Sequence, residues 1–263
     1  MDSALQALMD RVGEQEIAGF FLVLARVSPL FLFAPLFSSK LLPARVRGIV
    51  AVALAFGLTG VVVGDQKIPL DTLTYAGLIF KELLIGLAFA FALGALFTAV
   101  TVAGSFLDTF IGFSFGSLVD PINGNQTTVL SQLYTMLGVL VFVAIGGETW
   151  VLGGFARTYD IVGVTQTPSL NALVAGADHA FVGIFAAAIQ IAGPILLALV
   201  LTDVAFGLVS RVVPQLNVFA VGFPAKLLVG LVLLGVTLPF VAGWLSGQIQ
   251  ESVSQALQSL HVA

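Results

Sequence analysis

Six apolar stretches set the terms for anything this chain can fold into: residues 17–37, 49–64, 83–107, 127–147, 180–202 and 227–247. Crossing about 30 Å of hydrocarbon takes about 20 helical residues. Five of the six hold no charged residue, and the first holds only Arg26. The stretch 49–64 is short, and Gly57 and Gly60 weaken it. Only 9% of the residues are charged, where a soluble domain carries about 25%. Such a chain has too little polar surface to cover itself in water. The expectation is an all-α integral membrane protein with about six apolar helical segments. In lipid the backbone must satisfy its own hydrogen bonds, and the alternating pattern of a membrane barrel is absent.

The punctuation inside the runs matters. Pro29 and Pro35 fall in the first and Pro194 in the fifth, so several segments are expected to bend or break rather than run straight. In "GLAFAFALGALFT" small residues recur at Gly86, Ala90, Gly94 and Thr98, a spacing that lets helix backbones approach closely in lipid. Residues 38–48 carry Lys40, Arg45 and Arg47, net +3. The first 16 residues carry Asp2, Asp10, Arg11, Glu14 and Glu16, net −3. The positive-inside rule places the N-terminus outside and the first loop in the cytoplasm. By alternation residues 108–126 should also be cytoplasmic, yet they hold Asp108 and Asp120 and no Lys or Arg. Either the topology count fails there or that segment is not an ordinary loop.

Many function classes are excluded or disfavoured. Net charge is −4, against the basic balance of nucleic-acid binding. The absence of cysteine removes disulfides, thiolate metal sites and a Cys nucleophile. The opening "MDSALQALMDRVGEQE" is acidic and polar, so no cleaved signal peptide is expected. "GGETWVLGG" has the spacing of neither a phosphate loop nor a dinucleotide fingerprint. His179 and His261 sit in no metal-ligand spacing, and His179 beside Asp178 reads as a solvated helix start. Thr127 or Thr128 reads as an N-cap. No nucleophile has a base beside it, so neither an enzyme nor a cofactor is expected. Arg26, Asp203, Arg211 and Lys226 lie in or beside apolar runs and should be paired or wet. Arg26 either pairs or snorkels to an interface, while Lys81 and Glu82 read as interface markers. No carboxylate is expected within the apolar segments, which counts against a proton-coupled transporter acting alone.

Three stretches together carry a resemblance: "ARVSPLFLFAPLFSSKLLPARVRGIVAVALA", "GSFLDTFIGFSFGSLVDPINGNQTTVLSQL" and "PILLALVLTDVAFGLVSRVVPQLNVFAVGFPAKLLVG". They resemble the FliR family of the flagellar type III export apparatus, which has an SctT-like counterpart in the virulence injectisomes. The resemblance implies a subunit of an export gate in the bacterial inner membrane at the flagellar basal body. It implies bent helical hairpins packed into a pore, FliP and FliQ in one complex, FlhB adjoining, and unfolded exported proteins as cargo. It divides the chain into a FliP-like part, 1–175, and a FliQ-like hairpin, 176–263. The alternative is a polytopic solute transporter that stands alone.

The resemblance also gives the soft central segment 108–126 a role, a plug that closes the pore before secretion. Ile111, Phe113 and Phe115 could seal a lumen by excluding water. Gly112, Gly116 and Gly124 permit backbone shapes that other residues resist. Asp120-Pro121 and Asn123-Gly124 are turn dipeptides.

Overall fold

The computed structural model describes residues 13–34, 43–64, 66–113, 129–215 and 217–260. Among them all regular structure is helical: α1 (Glu14–Phe33), α2 (Ala44–Val62), α3 (Thr72–Ile111), α4 (Val129–Ala144), α5 (Gly147–Ile161), α6 (Leu170–Val212) and α7 (Val218–Gln258). Five helices are long and apolar enough to cross a membrane, or six if α4 and α5 count as one broken span.

α3, α6 and α7 overrun their apolar stretches at both ends. Transfer into lipid selects apolar residues, whereas a helix ends where its backbone finds a cap. Asp71 starts α3, accepting the amide of Thr74 at 3.2 Å; Ser169 does the same for Ala172 at 3.4 Å and Asn217 for Ala220 at 3.2 Å. All three are favoured N-cap residue types. His179 lies well inside α6 rather than at its start. Among the described residues the sharp break falls at glycine rather than proline; Pro35 lies outside them. α4 and α5 meet at 75°, with Gly146 at φ +66° between them, a conformation that side chains resist. Pro29, Pro194, Pro224 and Pro239 lie inside uninterrupted helices.

The chain forms two compact units. The first draws on Met1–Gly94, Gly147–Ala180 and Gln250–Ala263. Its core joins Ile85 of α3, Val162 after α5, Leu173 of α6 and Leu260 after α7. The small-residue stripe is used here. A Cβ on Gly86 would overlap the carbonyl oxygen of Arg26, and one on Gly94 would lie 3.1 Å from that of Phe33. α1 and α3 therefore run backbone to backbone. Tyr75 reinforces them by donating its hydroxyl to the Ala18 carbonyl at 2.9 Å. Backbone cannot rotate aside as a side chain does, so Gly86→Ala should cost at the upper end of about 1–3 kcal/mol. The check is the amount of folded chain in membranes. Gly153→Ala, where a Cβ meets nothing within 4 Å, should leave it unchanged.

The second unit draws on Ala95–Gly146 and Phe181–Ile249. Its α3–α4 hairpin closes at Gly104, where a Cβ would stand 2.5 Å from the Cα of Ser131. Hydroxyls line the same seam: Thr101 meets Thr135 at 2.9 Å, and Ser131 donates to the Thr101 carbonyl at 3.1 Å. Small polar residues of this kind hold helices together where apolar burial cannot, since lipid is as apolar as leucine.

Candidate functional site

In the first unit Arg26, Lys81 and Glu82 are buried together. Arg26 and Glu82 are wholly buried and Lys81 nearly so. The Arg26 guanidinium grips the Glu82 carboxylate with two nitrogens, Nε to Oε2 and Nη2 to Oε1, the latter at 2.9 Å. Lys81 Nζ stands 2.9 Å from Glu82 Oε1. Two cations on one anion leave a net positive charge, and the C-terminal end of α5 receives it. Arg26 Nη2 donates to the Val162 carbonyl at 2.9 Å, and Nη1 to Thr158 Oγ1 at 3.3 Å. Lys81 donates to the carbonyls of Val164 and, at 2.8 Å, Gln166. These carbonyls lie just past Ile161, the last residue of α5 and the negative end of its dipole, which suits cations. The guanidinium also lies over the Tyr159 ring, 4.0 Å from its centroid. Arg26 therefore pairs rather than snorkels, and Lys81 and Glu82 join it in one buried cluster. α1, α3 and the segment after α5 meet at this joint, whose named groups bond one another rather than face a substrate.

The second unit corrects the expected loop 108–126. α3 continues to Ile111, and Asp108 is a fully buried helical residue. Its carboxylate accepts the amides of Leu130 at 3.2 Å and Ser131 at 3.0 Å, capping α4 from the preceding helix. These are the free donors at a helix start. Thr127 and Thr128 lie outside the described residues, and two of the donors expected for them go to Asp108. The apolar stretch 83–107 itself holds no carboxylate, but those that flank it, Glu82 and Asp108, are buried in the same helix. Apolar neighbours hid them: Glu82 opens a long apolar run and Asp108 ends it. Both are occupied, Glu82 by two cations and Asp108 by two amides.

Of the expected plug residues, Ile111 is fully buried, Gly112 is buried at φ +102°, and Phe113 is half-buried. Phe115, Gly116, Asp120, Pro121, Asn123 and Gly124 lie outside the described residues. Asp203 and Lys226 do pair, at 2.7 Å, but from within α6 and α7 rather than at a loop. The turn between those helices is shorter than the charge pattern implied. Arg211 is exposed in the last turn of α6, where a cation suits the dipole. Beside the ion pair, Phe110, Ile111, Gly112, Phe206 and Phe223 line a cavity of about 380 Å³.

Residues 17–252 match the family model described as bacterial export proteins, family 1. The chain is 32% identical over 218 residues to the flagellar biosynthetic protein FliR of Bacillus subtilis, covering 82% of this chain and 84% of that one. FliR of Escherichia coli K12 is 29% identical over 223 residues, 85% of each chain. The surface presentation of antigens protein SpaR of Shigella sonnei is 27% identical over 212 residues, 80% of each. With a family model spanning nearly all its apolar segments and FliR relatives aligned over most of its length, the chain belongs to the FliR family of bacterial export proteins.

Proposed function

We propose that this chain is a pore subunit of the membrane gate of a type III protein-export apparatus of the flagellar kind. It acts in the bacterial inner membrane at the basal body, passes unfolded proteins, and catalyses no reaction. Its partners are FliP-type and FliQ-type subunits in one complex, with an FlhB-type protein adjoining. Residues 1–175 take the FliP-like place and 176–263 the FliQ-like hairpin. Residues 111–125 close the pore at rest.

The observation that carries the multi-subunit reading is how poorly the chain covers its own helices. The apolar window of α2 is 11% buried and that of α7 17%. Exposed glycines lie on both: Gly57 and Gly60 on α2, and Gly235, Gly243 and Gly247 on α7. A Cβ added at any of them would meet nothing within 4 Å. Lipid tails make no use of glycine, but an incoming helix backbone does. Membership of a family of export proteins supports reading that helix as part of another subunit of the same apparatus.

Expressed alone, the chain should aggregate or be degraded; expressed with FliP-type and FliQ-type subunits, it should enter one stable complex. Co-purification from detergent reads this directly. A monodisperse, folded monomer that binds a small solute would instead mark a transporter standing alone.

A further inference from the structure

We propose that Asp203 and the cavity beside it receive an arginine from a membrane helix of a neighbouring subunit. The proposal deepens the multi-subunit reading and rests on it. Asp203 lies within α6, which runs on to Val212, about 13 Å further along its axis. Lys226 of α7 takes its Oδ2 at 2.7 Å. The two charges are not equally placed. The Asp203 side chain is 53% accessible and that of Lys226 19%, so the carboxylate is what the surface presents. Around it Val200, Leu201, Val204 and Leu208 are all exposed. Lipid suits those four but not a carboxylate; water suits the carboxylate but not the apolar belt. An apolar helix that carries a cation suits both.

The cavity decides which cation. Phe110, Phe206 and Phe223 line it together with Asp203. A guanidinium is planar, stacks on aromatic faces and forks onto a carboxylate. It is also more weakly hydrated than an ammonium, so covering it costs less. The first unit already uses the same set: Arg26 lies on Glu82 and over the Tyr159 ring, and a lysine shares that carboxylate. At about 380 Å³ the cavity has room for one such side chain. Its floor is set by close packing. Ile111, the last residue of α3, rests on Gly230 of α7, where a Cβ would stand 2.6 Å from its Cδ1. Gly207, one turn after Asp203, also lines the cavity. A Cβ there would meet nothing within 4 Å, so an incoming backbone can come close.

The test uses the full chain expressed with FliP-type and FliQ-type subunits and extracted from membranes in mild detergent. The readout is partner retained per folded chain. Asp203→Asn keeps the shape and removes the charge. Retention should fall about tenfold, the change that about 1.4 kcal/mol gives. Folded chain in the membrane should stay near its native amount, because a partly exposed pair contributes little to the fold. Exchanging the pair, Asp203→Lys with Lys226→Asp, keeps it within the chain but turns a cation outward. That chain should retain no more partner than Asp203→Asn, and glutamate in place of one arginine in a partner's apolar helix should restore it. An exchange that restores retention by itself shows a pair serving only its own hairpin and overturns the proposal. So does an Asp203→Asn chain that keeps its partners, loses folded chain in step with them, or sheds a bound amine-headgroup lipid while the partners stay. So does the failure of every arginine replacement to restore the exchanged chain. If the native chain retains no partner, the multi-subunit reading falls and this one with it. If it retains them and no variant changes that, only the arginine site falls.

Discussion

Glu82→Leu should remove most of the folded chain from the membrane. The substitution strands Arg26, which is wholly buried and paired with Glu82 alone among the described carboxylates. Breaking a buried pair by removing one partner costs about 3–5 kcal/mol, a large part of the roughly 5–15 kcal/mol that holds a protein folded. The loss reaches three elements at once, because Arg26 and Lys81 also hold the carbonyls of Val162, Val164 and Gln166. Arg26→Met combined with Glu82→Leu should recover part of the loss, since the cation then left without its anion is Lys81, which keeps the carbonyls of Val164 and Gln166. Full-length chain in the membrane fraction, followed by the melting temperature of the extracted complex, measures both. Asp203→Ala serves as contrast. That pair is partly exposed, with the Asp203 side chain 53% accessible, and such pairs contribute about 0–1 kcal/mol. Equal abundance of native and Glu82→Leu chains would show that the joint carries no weight.

Deleting residues 112–116 should open the assembled gate to ions and small solutes while the complex still forms. Closure by Phe113 and its neighbours would work through apolar contact and exclusion of water, with no covalent or strong ionic bond to break. Such a seal loosens easily. Changing Phe113 and Phe115 to Ser should have the same direction and a smaller size, because backbone still fills the space. Assembly should survive, since the Asp108 cap and the Thr101–Thr135 seam lie outside the deleted residues. Phe21→Leu is the control: Phe21 is half-exposed on α1, far from the segment in sequence, and should not leak. Membrane conductance, or growth in a normally excluded solute, gives the answer. A tight membrane around an intact deleted complex would return the segment to an ordinary connection.

The class of this protein was legible because lipid acts on composition. Long uncharged runs such as residues 83–107 have no other home, and counting them needs no tertiary knowledge. That α3 packs closely against a neighbour was legible too, as a four-residue recurrence of small side chains from Gly86, but that the neighbour is α1 was not. α5 was harder. Glu148, Arg157, Asp160 and its glycines kept it below any apolar threshold, so "GGETWVLGG" read only as glycine-rich. The caps at Asp71, Ser169 and Asn217 were available as signals for the true helix starts.

By itself, the sequence determined what must avoid water and where a helix offers a close-packing stripe, because both depend on residue type and local spacing. The tertiary structure alone decided what each buried charge is for. Arg26 and Glu82 are 56 positions apart, and Asp108 meets amides 22 and 23 positions on. Nothing local distinguishes a carboxylate at a membrane interface from one that anchors a helix. A charge in a low-dielectric interior is stable only beside its partner, and only the folded chain brings the partner there. Gly230 is the same case: its lack of a side chain acquires a meaning once Ile111, from a distant part of the chain, comes to rest against it.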